Sequence, residues 1–263
     1  MQCRRQLEAN LKPHNKVADQ NDGMQEGPND GDHQEITLAE KAYRALRADI
    51  ISGAIEAGQS LRLEYLKQRY GISFSPIREA LNRLHSERFV LFNASRGFRL
   101  APFSIAEMWD AIETRILIDC EALRRSLINA NDQWEARLVG AFHALTLAAN
   151  RNAVALPDHA AGELLEVRHL EFHQGMLAAC DSPWLMSLSA QLYDQSERYR
   201  RPTLRGHAAW GGARNVPAEH QELMNAALTR DAAKASALLA EHYRESGRFV
   251  EKMRKESIGT ARE

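Results

Sequence analysis

Residues 73–84 constrain the fold of this chain more than any other stretch, because they combine a helix start with a regular apolar spacing. Ser75 is a favourable helix cap, and Pro76 after it suits the first helical position, where its missing N–H costs nothing. The apolar residues are four and three positions apart and share one buried face: Ile77, Leu81 and Leu84. The stretch predicts a short amphipathic helix that begins after Ser75.

The other face of this helix is polar. Ser75, Arg78 and Asn82 lie on it, and in the major groove of DNA arginine pairs with guanine while asparagine pairs with adenine. This face therefore suits a recognition helix. An ordinary amphipathic helix with a solvated polar face has the same pattern, so the neighbouring segments decide between the two interpretations.

The segment before this helix completes a helix-turn-helix pattern. Leu63, Leu66 and Tyr70 recur at helical spacing, and Gly71 follows them where a left-handed cap ends a helix. A helix, a glycine turn and a capped second helix are the elements of this DNA-binding motif.

The segment after the helix predicts a β-hairpin. Residues 88–92 are rich in aromatic and β-branched side chains, residues 93–97 indicate a turn, and residues 98–100 return as a second strand. Such a hairpin is a wing, and its tip carries Arg96 and Gly97. Arginines at this place contact phosphates or the minor groove.

The distribution of charge favours DNA as the partner. The whole chain has a net charge of −1, which alone argues against DNA binding. Residues 37–103, however, contain eleven Lys/Arg against six Asp/Glu, a net charge of +5. Positive charge is concentrated on the helix-turn-helix and wing, as binding to phosphates requires.

Over residues 37–102 the chain resembles the winged helix-turn-helix of GntR-family transcription regulators. The shared motifs are LRADIISG at 46–53, GQSL at 58–61, SPIREAL at 75–81 and RGF at 96–98. With the polar face and the wing, the resemblance implies binding to double-stranded DNA through seven candidate residues: Arg47, Phe74, Ser75, Arg78, Asn82, Arg96 and Gly97. Many members carry an arginine where this chain has Phe74. One base contact is thus lost or replaced by apolar contact with a thymine methyl group.

The rest of the chain predicts helices. Capping boxes start two of them, Thr37 with Glu40 and Ser104 with Glu107. Beyond residue 103 the predicted helices span 105–129, 132–150, 160–180, 183–200, 217–230 and 232–256, with one long loop at 201–216. The expected fold class is mainly α: a winged helix-turn-helix with a small β wing, followed by an all-α helical bundle.

Four segments are expected. Residues 1–35 are polar without apolar periodicity and predict a disordered tail. Residues 36–102 form the DNA-binding domain, residues 103–257 an all-α effector-binding and dimerisation domain, and residues 258–263 a short tail. No apolar run reaches the 18 residues of a membrane span. The cysteines lack disulfide or zinc spacing, so we expect a cytoplasmic protein: Cys3, Cys120 and Cys180.

Four of the ten histidines are placed for a shared site. His169 and His173 are four apart and share a helix face. His220 and His242 each lie eleven residues from Asp231, so a turn there brings them together between adjacent helices. Four imidazoles in a bundle can bind zinc, nickel or another transition metal. Single buried histidines are more often hydrogen-bonded core residues, and this alternative stays open.

Residues 104–256 resemble the FCD ligand-binding domain of the FadR-type branch of the GntR family. Its histidine signature matches Phe172-His173, His220 and His242, but His169 stands where the aspartate usually is. The resemblance implies one metal ion per protomer, although the missing anionic ligand also allows histidines that bind a carboxylate directly.

The same resemblance points to an effector site. Arg115 and Asp119 match an Arg-x-x-x-acid pattern on the first helix of that domain, which implies that Arg115 binds a carboxylate with its guanidinium fork. The alternative is a surface i,i+4 ion pair. Tyr193 and Arg198 are further candidates for the effector cavity, as are Tyr199 and Arg200. Residues 198–201 fit equally well as an exposed helix end that places cations near the C-terminal dipole.

The sequence predicts a ligand-responsive transcription regulator, not an enzyme. It would bind a palindromic operator as a homodimer, with a small carboxylic acid in the bundle shifting the two DNA-binding heads. Repression is the commoner sense in the family. Similarity around residues 66–76 to the carbon-starvation and glutarate-responsive branch suggests a short dicarboxylate. Two alternatives remain: a helical metalloenzyme using the four histidines, and an architectural DNA-binding protein without effector.

Overall fold

The computed structural model describes residues 36–154, 159–204 and 214–260. In this part the elements follow in the order α1 (Leu38–Ile51), α2 (Leu63–Tyr70), α3 (Phe74–Ser86), β1 (Val90–Asn93), β2 (Gly97–Leu100), α4 (Ile105–Asn129), α5 (Asp132–Val154), α6 (His159–Leu177), α7 (Pro183–Leu204), α8 (Val216–Leu228) and α9 (Ala232–Thr260). This order confirms the predicted fold class. The predicted tail at residues 1–35 lies outside the described residues.

The first three helices and the wing enclose one apolar core. Its fully buried members include Leu46, Leu66, Ile77, Leu81, Phe89 and Val90, and β2 contributes the buried Phe98 and Leu100. Thr37 caps α1 as predicted, because its hydroxyl accepts from the Glu40 amide. Leu38, the first residue of α1, is 53 % exposed, and the buried face of the helix begins one turn later at Ala42.

Helix α3 begins at Phe74, after the N-cap Ser73. The prediction that Ser75 caps this helix and that Pro76 is its first residue was therefore wrong by two positions. Pro76 is tolerated at the third position because none of the first four N–H groups of a helix has a partner inside it. Gly71 ends α2 in the left-handed conformation, with φ 67°, as predicted.

The wing is an antiparallel pair in which Val90 faces Leu100 and Asn93 faces Gly97. Residues 88 and 89 were predicted as strand but precede it. Arg88 has φ 63° and donates its amide to the His85 carbonyl, so it belongs to the turn that ends α3.

Helices α4–α9 form the bundle, and α4 packs against α6, α7 and α9. Its largest fully buried side chains are Trp134, Phe172, Met108, Leu123, Leu138 and Leu165. Helix α7 continues through Pro202 to Leu204, into the predicted loop, and the Thr203 hydroxyl donates to the Tyr199 carbonyl in this last turn. The rest of that loop, residues 205–213, lies outside the described residues. Within the described part, the helices are too short or too polar to cross a membrane.

Helices α4 and α9 approach closely at Gly247. A methyl group there would lie 2.8 Å from Ile112 Cδ1 and from Trp109 Cη2. We expect Gly247→Ala to lower the free energy of unfolding by about 1–3 kcal/mol, because an added methyl forces a filled core to shift. Gly140→Ala in α5, with nothing within 4 Å, is the control and should raise it by about 0.5–1 kcal/mol. Urea unfolding measures both, and equal effects would contradict this interpretation.

Candidate functional site

The exposed face of α3 carries four of the candidate DNA contacts. Phe74, Ser75, Arg78 and Asn82 are all exposed, whereas the opposite face is buried. The first residues of a recognition helix are those that meet base edges, and Phe74 and Ser75 hold the first two positions. Arg78 forms no ion pair with the residues that the structure describes, so its guanidinium is available to a base or phosphate.

Lys67 of α2 belongs to the same surface, although sequence reasoning did not select it. Its Nζ lies 4.9 Å from the centre of the Phe74 ring. A cation over an aromatic face is attracted to it. The place of the missing family arginine is thus held by an aromatic ring with a lysine above it, and only the fold reveals that pairing.

The wing presents Arg96 at its exposed tip. The Asn93 side chain accepts from the amides of Ser95 and Arg96 and fixes the turn. Gly97, with φ 72°, adopts a backbone conformation that other residues rarely adopt. No ion pair joins Arg96 to any residue in the described ranges.

Arg47 does not join the other six candidates. Its guanidinium forms an ion pair with Asp194 of α7, and its side chain is 30 % exposed. The structure places this arginine at the junction between α1 and the bundle, because it lies on the side of α1 that packs against α7.

The four histidines meet inside the bundle. Helix α6 contributes His169 and His173, α8 contributes His220, and α9 contributes His242. All four are buried, and one ring nitrogen from each lies within 4.8 Å of the others. The His220 and His242 ring centres are 4.6 Å apart, which agrees with their symmetric spacing about Asp231. The two Nε2 atoms of His169 and His173 face each other at 3.1 Å.

Outer partners orient three of these rings. His242 Nδ1 lies 2.9 Å from Glu219 Oε2, and His169 Nδ1 lies 3.4 Å from the Tyr193 hydroxyl. His173 Nδ1 lies 3.5 Å from the Tyr243 hydroxyl, which itself donates to Asp119. The Glu219 carboxylate and the Tyr243 hydroxyl, which already donates its proton, accept from the Nδ1 atoms of His242 and His173, and this leaves the Nε2 lone pairs of these two rings available to a ligand.

Burial keeps the four imidazoles uncharged. It lowers the pKa of His169, His173 and His220 well below 6.5, and mutual repulsion adds to this effect in each. Burial also lowers the pKa of His242 to about 4, although Glu219 opposes the shift. Neutral imidazoles with inward lone pairs can bind a metal ion without first releasing protons.

A small cavity adjoins the histidines. His169, His242, Arg115, Arg200 and Tyr243 line it, and its volume is about 30 Å³. That is room for only one or two water molecules.

Arg115 is not the surface ion pair that the sequence left open as an alternative. It is buried, donates Nε to Asp119 and Nη2 to the Tyr243 hydroxyl, and stacks on the Tyr193 ring. The structure therefore brings Arg115 and Tyr193 to the histidines, with Arg115 facing the cavity.

Arg198 lies elsewhere, and Arg200 takes the place expected for it. The Arg198 guanidinium donates to the carbonyls of Arg88 and Pro102, at the junction with the DNA-binding domain. Arg200 faces the cavity and is ion-paired with Glu197 and Glu166. Two residues along a helix point to nearly opposite sides, so only the fold could show which arginine faces inward.

Sequence reasoning also missed Glu219 and Tyr243. Each is the chain neighbour of a selected histidine, but adjacent helical residues point about 100° apart, so adjacency alone gave no reason to choose them. Glu166 and Glu197, with His169, form a second group close enough for a metal ion. Both carboxylates are already ion-paired with Arg200.

Comparison with known proteins agrees with both domains. Residues 38–100 match the family described as bacterial regulatory proteins of the gntR family, and residues 110–245 match the FCD domain. The HTH-type transcriptional regulator BphR of Paraburkholderia xenovorans (strain LB400) is 40 % identical over 80 % of this chain and 84 % of its own length.

Two other relatives extend the comparison. The HTH-type transcriptional repressor GlaR of Escherichia coli (strain K12) is 32 % identical over 76 % of this chain and 90 % of its own length. The solved structure of E. coli McbR/YncC aligns with a TM-score of 0.68 at 19 % identity, over 83 % of this chain and 99 % of that one, and so supports the fold. These relatives are transcription regulators, which sets aside the metalloenzyme alternative. The chain belongs to the GntR family of transcription regulators, in the branch that carries an FCD domain.

Proposed function

We propose that this chain is a cytoplasmic, homodimeric repressor whose bundle binds a small carboxylic acid and releases the protein from a palindromic operator. One observation carries the proposal: four buried, uncharged histidines adjoin a cavity that two arginines line. Residues 36–102 bind DNA, and residues 103–257 bind the effector and dimerise.

A zinc or nickel ion fits the histidines. The Nε2 atoms of His169 and His173 lie 3.1 Å apart, and one ring nitrogen from each of the four histidines lies within 4.8 Å of the others, so a single ion could contact all four. Imidazole nitrogen is a preferred ligand of both metals. His169, His173, His220 and His242 would hold the ion, with Glu219 and Tyr243 orienting two of the rings. Bound there, a metal would supply positive charge that attracts an anion.

Arg115 and Arg200 favour an anionic effector. Arg115 is buried at the cavity, the Arg200 side chain there is 13 % exposed, and guanidinium binds carboxylate through paired hydrogen bonds. Two arginines from different helices, α4 and α7, suit an acid with two carboxylates. This pairing supports a short dicarboxylate as the first candidate.

Repression is the sense that the relatives support, since GlaR is named a transcriptional repressor. The rival proposal, an architectural DNA-binding protein, would be favoured by a bundle core that is completely filled. The cavity beside the histidines and the two arginines that line it argue against it.

The effector class can be tested with operators selected by the protein from a random-sequence duplex library. Short mono- and dicarboxylic acids, glutarate among them, are then titrated into the complex with and without added zinc. We expect one dicarboxylate to release the wild-type protein, because only an acid that fits Arg115 and Arg200 prefers the released state. In His173→Ala, binding to DNA should persist without release. Release of His173→Ala at wild-type concentrations of acid would remove the histidines from the site.

Arg78→Ala tests base recognition by α3. We expect it to weaken operator binding by about 1–3 kcal/mol and to relax preference at one base pair, because its guanidinium is exposed and unpaired on the recognition face. The measurement is affinity for the operator and for its single-base variants. Arg96→Ala is the comparison, since a phosphate contact at the wing would weaken all sequences alike. Unchanged base preference in Arg78→Ala would overturn its role.

Stability of the metal-free protein should fall in mild acid. Unfolded histidines titrate near pH 6.5, whereas burial holds the folded pKa values well below this and that of His242 at about 4. From pH 6.5 down to about 4 the unfolded chain therefore binds more protons than the folded one, and the free energy of unfolding decreases.

Urea unfolding with a chelator, at several pH values across this window, measures the dependence. His242→Gln should show a shallower decrease than wild type. Parallel curves for the two proteins would show that these buried imidazoles do not control the acid sensitivity.

A further inference from the structure

Helix α7 contacts both functional regions of the molecule. On one side, Tyr193, Glu197 and Arg200 meet the histidine cluster and its cavity. On the adjacent side, Asp194, Gln195 and Arg198 reach the DNA-binding domain. The two sets alternate over only eight residues, less than three helical turns. A displacement of this segment therefore moves both sets together.

The contacts on the DNA-binding side fall at the places that orient the recognition helix. The Gln195 amide donates to the carbonyl of Glu87, which is the C-cap of α3. Arg198 donates to the Arg88 carbonyl at 3.0 Å, where the chain turns from α3 into the wing. The same guanidinium donates to the Pro102 carbonyl at 3.1 Å, in the joint before α4.

Two further contacts tie α7 to the first helix. Asp194 is ion-paired with Arg47 of α1. At the other end, a Cβ on Gly53 would lie 3.0 Å from Pro202 Cβ, so the end of α1 rests against the last turn of α7. Helix α7 thus contacts α1, the end of α3 where the wing begins, and the segment that precedes α4.

Arg198 is the central member of this set. The residue is only 8 % exposed, and its fork joins two carbonyls that are fourteen residues apart in the chain. Hydrogen bonds from a charged donor are stronger than neutral ones, and buried carbonyls that lose them are left unsatisfied.

The cavity side must move when a ligand enters. A space of about 30 Å³ is far below the several hundred Å³ of small-molecule sites, so an acid cannot be accommodated without displacing a wall. Helices α4 and α9 are tightly joined, by the close approach at Gly247, the Trp109–Glu251 hydrogen bond and the Arg244–Glu113 ion pair. Helix α7 faces the cavity through ion pairs of Arg200, which a ligand carboxylate can exchange.

We infer that Asp194, Gln195 and Arg198 are positioning residues that fix the DNA-binding domain on the bundle, and that α7 carries the state of the cavity to the recognition helix through them. The transmission through α7 rests on the proposed function. The positioning role does not require an effector, so the two inferences can fail separately.

Arg198→Lys in the full-length protein tests the positioning role, because a lysine keeps the charge but cannot span both carbonyls. Arg201→Lys is the matched control, because it makes the same substitution on the same helix at an arginine that pairs with Glu163 of α6 and not with the DNA-binding domain. Gln195→Ala serves as a second variant should Arg198→Lys fail to fold.

Amide hydrogen exchange is the first readout. Peptides covering residues 84–90 and 100–103 should exchange several-fold faster in Arg198→Lys or Gln195→Ala than in wild type and Arg201→Lys. The reason is that hydrogen bonds from α7 to the end of α3 or to the joint before α4 are lost in these two variants. Equal protection in all four proteins would overturn the inference.

Half-site spacing is the second readout. Wild type should prefer one spacing of its selected operator, whereas Arg198→Lys should bind that spacing about tenfold more weakly and lose preference over spacings one or two base pairs away. If Arg198→Lys kept both the spacing preference and the amide protection of wild type, a positioning role would be excluded.

Glutarate then tests the transmission. Calorimetry should show unchanged glutarate affinity in Arg198→Lys, with release from DNA reduced relative to wild type. Equal release in both proteins would refute transmission through α7. If neither glutarate nor any other short acid of the panel binds wild type, the proposed effector class fails, and exchange and spacing still decide the positioning role.

Discussion

The rest of the structure depends on the burial of four imidazoles without charge. Desolvation and mutual repulsion hold their pKa values low, so the bundle core contains nitrogen lone pairs in place of cations. The nearby arginines are offset individually, Arg115 by Asp119 and Arg200 by Glu166 and Glu197. Buried ion pairs of this kind contribute little net stability compared with apolar packing. Their presence here is better explained by a ligand than by the fold.

Function in this chain requires two surfaces that do not touch. The recognition face is formed by exposed side chains of α3 and is open to DNA. The histidine site is closed and lies inside a helical bundle. Helix α7 links them because one helix can present residues to two neighbours at once: its 100° rotation per residue directs Tyr193 and Asp194 to different environments. The Arg47–Asp194 pair shows the consequence, since a cation of the DNA-binding domain is committed to the bundle and not to DNA.

Local signals explain which features could be predicted from sequence. Capping at Thr37 and Ser104, the glycine end of α2 and the symmetric spacing of His220 and His242 about a turn depend on neighbours in the chain, and these expectations are confirmed. The start of α3 was misplaced because Ser73 and Ser75 are both capable caps and Pro76 fits any position of the first turn. Which of Arg198 and Arg200 faces the cavity depends on how α7 packs against the wing and α4. The sequence of α7 alone does not contain that information.

His169 stands where the resemblance leads us to expect an aspartate, and this replacement removes one negative charge from the site. Four neutral ligands would leave the full charge of a divalent metal in the core. Glu219 contributes negative charge through His242 Nδ1, but Arg214 is ion-paired with the same carboxylate and cancels part of this contribution. Glu166 and Glu197 both pair with the single guanidinium of Arg200, so these three groups together carry one net negative charge when both carboxylates are ionised. A divalent metal would exceed this charge, and an anion entering the cavity would offset the remainder.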